Sequence, residues 1–376
     1  MILTSERRSR GGWALASVIV LLLAIAAAAG YGLWGRSANQ VATTAAPSVG
    51  PAALLQTGDQ AFRQGDWQGA ADWYARAAQV DPSSMDAQVG WARSLLFLYR
   101  PSEAVVHARQ AAELAPRSPD AQGILAVALD WSGDLDGAAI AARRSIDLDP
   151  SFAAGYAYLA EVFADRYQLA DAQRAVEKAL TLDPEGVEPL RVRAYVLETG
   201  GRYTDAAAAY RRAIDAAPTY GHLYFSLGNV YRALGKDDDA ISAFRTAMDL
   251  EPGDAHAPTG LALVYIAGGD VATAIPYLEN SVKLDPTYAT AQGQLGTAYY
   301  FHGDYDKALA PLEQAIQLER NRDRLGAYHH VLGWVYFKTG ALSLAQAQFT
   351  AALAIDPNLS GAKDGLGAVR AQGVGG

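Results

Sequence analysis

The sequence reads as an all-α protein, a solenoid of about nine helix-turn-helix repeats preceded by one membrane-spanning helix. Three observations carry this reading. A Pro returns at 34-residue steps along most of the chain, small residues return at fixed places within each step, and one long uncharged apolar run stands near the N-terminus. Self-similarity at a fixed period of this length marks an array of stacked units, each packing only on its neighbours.

The N-terminal run comes first in the chain. Residues 13–34, from Trp13 to Trp34, hold no charge and are bounded by a Trp at each end. A helix needs about 20 apolar residues to cross a bilayer core, and Trp suits both interfaces. Arg7, Arg8 and Arg10 precede the run and Arg36 follows it. The excess of Arg on the N-terminal side places residues 1–12 in the cytoplasm and the repeats outside it. A cleavable signal peptide, with an Ala-x-Ala site in Ala26–Gly30, is the alternative, and a secreted or periplasmic protein would follow from it. Residues 35–50 are small and polar and read as a flexible linker.

The repeats occupy residues 51–359. The periodic Pro stands at Pro82, Pro116, Pro150, Pro184, Pro218, Pro252 and Pro286, and the series resumes at Pro357 after two steps plus three residues. With that Pro numbered position 32, position 20 is Ala in all nine repeats, from Ala70 to Ala345, and position 8 is only Gly or Ala. Large residues complement them at position 24, among them Tyr74, Tyr210, Phe244 and Phe349. The spacings within each step are helical, and the small residues mark close crossings of two helices. Gly at position 15 in seven repeats, such as Gly65 and Gly133, ends the first helix. Pro at position 32 ends the second, because the residue before a Pro avoids the helical conformation. The charged insertion at Glu319–Gly326 is expected to lengthen the second helix or loop of repeat eight. Residues 360–376 read as a capping helix and tail.

This 34-residue pattern resembles the tetratricopeptide repeat (TPR) family, over nearly the whole chain outside the N-terminal segment and linker. The resemblance implies a right-handed α-solenoid in which positions 2, 5, 9, 12 and 13 of each first helix line a concave groove that binds proteins or peptides. On that basis the partner-binding residues are Tyr300, Phe301, Trp334 and Phe337 in the last two repeats, with Phe225, Asn229, Arg232, Arg191 and Trp131 further up the groove. Aromatic and Arg side chains are the common anchors of protein interfaces. Repeats one to three, around Phe62, Phe97 and Trp131, are the second choice. The chain also resembles the first two parts of the lipopolysaccharide assembly protein B family, a membrane helix followed by repeats, but without that family's Cys-rich metal domain. Chaperone-binding members pair a Lys at position 5 with an Asn at position 9. Here the one Asn at position 9, Asn229, is paired with Phe225, so that subtype does not fit.

Composition narrows the function classes. There is no Cys, hence no disulfide framework, thiolate metal site, thiol nucleophile or lipid-anchored N-terminus. The whole chain carries −9 and residues 1–36 carry +3, so residues 37–376 carry −12. An acidic body repels nucleic-acid backbones, and none is expected as a partner. No nucleophile–base constellation or phosphate loop occurs, so an enzyme, a cofactor, a metal and a small-molecule ligand are not expected. His222 and His256 share position 2 of adjacent repeats and are expected as neighbours on the groove rim. The function implied is a non-enzymatic, membrane-tethered scaffold for assembling an envelope complex. The alternative is a secreted or periplasmic repeat protein that binds glycan or a polysaccharide-export machine.

Overall fold

The computed structural model describes residues 50–373. The membrane-spanning expectation for residues 13–34 and nearly all of the linker lie outside the described residues. Among the described residues no helix is long and apolar enough to cross a membrane.

Nineteen helices make up the described chain. Nine pairs form the repeats: α1 (Pro51–Arg63) and α2 (Trp67–Val80), α3 (Met85–Phe97) and α4 (Pro101–Leu114), α5 (Pro119–Trp131) and α6 (Leu135–Leu148), α7 (Ala153–Asp165) and α8 (Leu169–Leu182), α9 (Val187–Thr199) and α10 (Tyr203–Ala216). They continue as α11 (Gly221–Ala233) and α12 (Asp237–Leu250), α13 (His256–Ala267) and α14 (Val271–Leu284), α15 (Ala289–His302) and α16 (Tyr305–Leu318), α17 (Arg322–Lys338) and α18 (Leu342–Ile355). The capping helix is α19 (Ser360–Ala371).

Local chemistry explains the boundaries. Second helices start on a capping Asp in several repeats: Asp66 accepts from Gly69 N, Asp134 from Gly137 N and Asp270 from Thr273 N. Each such cap satisfies a donor that the helix leaves free, worth about 1 kcal/mol. At the far end the Asp before the periodic Pro folds back locally, as Asp81 does on Ser83 N and Asp149 on Ser151 N. The turn glycines at position 15 all have positive φ, from 67° at Gly235 to 95° at Gly303. Repeats two and four carry Tyr99 and Tyr167 there instead, at φ 54° and 56°. A left-handed conformation costs a side chain on the order of 1 kcal/mol.

The core is a column of alternating small and large residues. Every position-20 Ala is fully buried, Ala206 among them. Around three of the position-24 rings, Tyr74, Phe244 and Phe349, glycines make room. A Cβ on Gly228 would lie 2.8 Å from the Phe244 ring and one on Gly260 would lie 2.5 Å from it. Gly58 stands in the same relation to Tyr74, and Gly333 to Phe349.

Two features depart from the sequence reading. The insertion lengthens neither the second helix nor the loop of repeat eight. Helix α16 ends on schedule after 14 residues, and α17, the first helix of repeat nine, runs for 17. The cause is a strong helix start upstream: Asn321 accepts from Arg324 N at 3.1 Å, while Glu319 accepts from Arg320 N, Asn321 N and Arg324 Nε. The other departure is larger. The ribbon of repeats curls back on itself, so that repeats one and two touch repeats six and seven. Phe97 lies 4.8 Å from Tyr220 between ring centroids, and Tyr99 reaches His222 and His256.

Candidate functional site

That curl decides which inward-facing residues remain open. On the concave side, position 5 of α9 lies over position 9 of α7. Arg191 on α9 therefore meets Glu161 on α7, with Nη2–Oε2 at 2.6 Å and Nη1–Oε1 at 3.0 Å, and Glu188 Oε2 adds a third contact at 2.9 Å. Arg191 is 5% exposed. Trp131 Nε1 donates to the same Glu161 at 3.3 Å. Of the two expected groove residues, Arg191 is buried and committed to this charge network, as buried charges must be, while Trp131 is half-buried and lends its N–H to it. Burial pushes the Glu161 carboxyl up, but Arg191 and its hydrogen bonds outweigh this and hold it below the usual range.

Beside this pair sits Asp130, only 5% exposed, and no N–H or O–H donor reaches either of its oxygens. Burial, with the charges of Glu161 and Asp165 added, pushes its carboxyl up to about 9. It is therefore neutral at pH 7 and can donate its proton to Asp165, which also accepts from the Tyr195 hydroxyl.

The seam where the ribbon closes is aromatic. Trp67 stacks on Phe97, Phe62 meets both edge-on, and Trp67 and Phe97 meet Tyr220. Phe62, Phe97 and Trp131, the second-choice groove aromatics, are each half-buried. The Tyr99 hydroxyl hydrogen-bonds His222 Nδ1 at 2.7 Å, and its ring stacks on His256 at 3.7 Å. His222 and His256 are thus neighbours, as their shared position implied, and Tyr99 lies between them. Burial, then Arg191, pushes His222 down to about 4. Glu251, buried beside Asp254 and accepting from His222 N, is pushed up to about 7. Phe225 is half-buried against His222, His256 and Phe244. Asn229 is half-buried and Arg232 exposed on the same helix. Among the described residues no group of three or more His, Asp or Glu is placed to hold a metal.

The last two repeats differ. Phe301, on the final turn of α15, is 65% exposed and touches Tyr300, which touches Tyr305. One repeat on, Trp334 lies edge-on to Phe337 and to the core residue Phe349, and its Nε1 donates to His330 Nε2 at 3.0 Å. Trp334 and Phe337 are half-buried in the core of repeat nine. The four aromatics thus divide: Phe301 is open, Tyr300 and Phe337 partly so, and Trp334 is largely structural. What the sequence missed was the Asp130 network and the role of Tyr99. A signal for the latter was present in the Tyr that replaces Gly at position 15.

Comparison with known proteins follows the same lines. A search of curated proteins returned no match. Among solved structures, the chain is similar to the APC/C hetero-tetramer Cut9-Hcn1, with TM-score 0.66 and 22% identity over 80% of this chain and 59% of that one. It is also similar to a human IFIT1 dimer with PPP-AAAA, with TM-score 0.60 and 16% identity over 86% of this chain and 83% of that one. The chain thus spans less than two thirds of the first of these, and at such identities the likeness is one of fold. Three family models described as tetratricopeptide repeat match the sequence, one at residues 254–321, one at 89–151, 159–221 and 294–360, and one at 199–257. With its repeats matched over more than half its length, the chain belongs to the tetratricopeptide repeat family.

Proposed function

We propose that the protein is a non-enzymatic scaffold that holds protein or peptide partners on the concave face of repeats eight and nine. The observation that carries this is Phe301: at a groove position, with Tyr300 beside it, it is 65% exposed, while the groove aromatics Phe62, Phe97, Trp131 and Phe225 of the earlier repeats are half-buried. An exposed aromatic cluster of this kind is a common mark of an interaction site. The acidic balance of the body argues against a nucleic-acid partner. Residues 13–34 would tether the scaffold to a membrane with the repeats outside the cytoplasm, where assembly of an envelope complex is the reading that best joins the two halves.

A photo-crosslinking amino acid at position 301 of the full-length chain, in its own membrane, should trap a discrete partner. Phe301→Ala should weaken binding of that partner by about 2 kcal/mol, some 30-fold, and leave the melting temperature unchanged. Equal capture by the variant would move the site elsewhere. Protease added to spheroplasts should digest the repeats while a membrane-bound fragment survives, and protection would overturn the orientation.

A further inference from the structure

The seam contains one residue that the fold does not require. The turn that ends each first helix asks for a left-handed residue, which seven repeats supply as Gly. At Tyr167 a Tyr occupies this position with its ring 79% exposed. At Tyr99 the same strained backbone aims a ring across the superhelix onto His222 and His256, on the first helices four and five repeats further on.

We propose that Tyr99 is a latch: it holds repeats one and two against repeats six and seven, narrowing access to the concave face of repeats two to six, and that access widens when the latch releases. Two observations support a closed state poised against an open one. The latch is one hydrogen bond and one stacked ring, set on a strained turn. The space behind the seam is about 30 Å³, and its walls bring together Arg93, Trp131, Tyr158, Glu188 and Arg191 from repeats two to five, which opening would make more accessible.

The absence of Cys from the chain permits a direct test on the full-length protein. Exposed Gln68 and Gly253 lie either side of the seam, where a Cβ on Gly65 would come within 3.4 Å of Leu250 O. Spin labels on Gln68→Cys and Gly253→Cys should report one short distance. Tyr99→Gly keeps a residue suited to the turn and removes only the ring, so it should add a longer population. Tyr99→Phe, which keeps the stacking, should fall between. A separate Val127→Cys, on the cavity wall, should react with a maleimide about tenfold faster when combined with Tyr99→Gly, a shift of roughly 1.4 kcal/mol in the opening equilibrium. His256→Ala leaves the turn untouched and should open the seam as well. Unchanged distances and labelling rates in both variants would overturn the latch. So would a loss of helicity in both, which would make these residues part of the core.

Discussion

Asp130 shows how a repeat protein can carry a costly residue. Its inward position is readable from the repeat register, but the register does not say which inward residues pair. Arg191 pairs with Glu161 because one repeat's rotation brings position 5 over position 9. Asp130, at position 12, arrives at the same network with no cation left for it. Its neutrality has a consequence with a definite sign. The folded state holds this proton up to about pH 9, whereas the unfolded chain releases it near 3.8. The folded state therefore binds more protons across that window, and its stability falls as pH rises through it. Asp130→Asn removes that loss while keeping a group able to donate to Asp165. Its melting temperature should exceed the wild type's by a margin that widens from pH 4 to pH 9. Since every other group titrates in both proteins, a margin independent of pH would show that Asp130 is ionised in the fold.

Helices and their boundaries were the most legible part. The 34-residue period, the position-15 turn and the position-32 Pro placed all nine pairs, because each signal acts within a few residues of the boundary it sets. The three-residue insertion was legible in length but not in place: period arithmetic cannot tell whether α16 or α17 absorbs it, and the Asn321 cap decides. Packing between helices was half legible. Small residues at positions 8 and 20 were visible, but the glycines at position 6 that face a ring from the preceding repeat occur only where position 24 is large, so they do not form a column. Gly260→Ala would drive a Cβ to 2.5 Å from Phe244 and should destabilise by about 1–3 kcal/mol. Gly367→Ala, in α19 with nothing within 4 Å of the added carbon, should instead stabilise by about 0.5–1 kcal/mol. Paired melting curves would check both, and the same sign for the two would discredit the packing account.

The closure of the superhelix was not legible at all, since it sums small rotations over several repeats and no local signal encodes a sum. It changes how stability is distributed. In an open solenoid each repeat supports only its neighbours, so removing an end repeat leaves distant ones untouched. Here repeats one and two also cover the starts of α11 and α13. His222 reports on that cover, because burial is the first cause of its depressed value of about 4, with Arg191 second. Deleting residues 51–118 should expose the imidazole and let it titrate back towards its ordinary value of 6.5. Deleting residues 326–376, repeat nine with the cap and tail at the other end, should leave it depressed. Histidine NMR titration of the two truncated proteins distinguishes the cases. The sign also follows for the intact chain: the folded state resists protonating His222, so this group favours the closed form above about pH 6.5 and withdraws that support as pH falls towards 4. If both truncations left His222 depressed, the remaining repeats would bury it alone, and the contact with repeats one and two would contribute nothing to its environment. If both raised it, α11 would depend on the whole array rather than on the seam. Only the asymmetric result is what a ribbon closed between repeats one–two and six–seven requires.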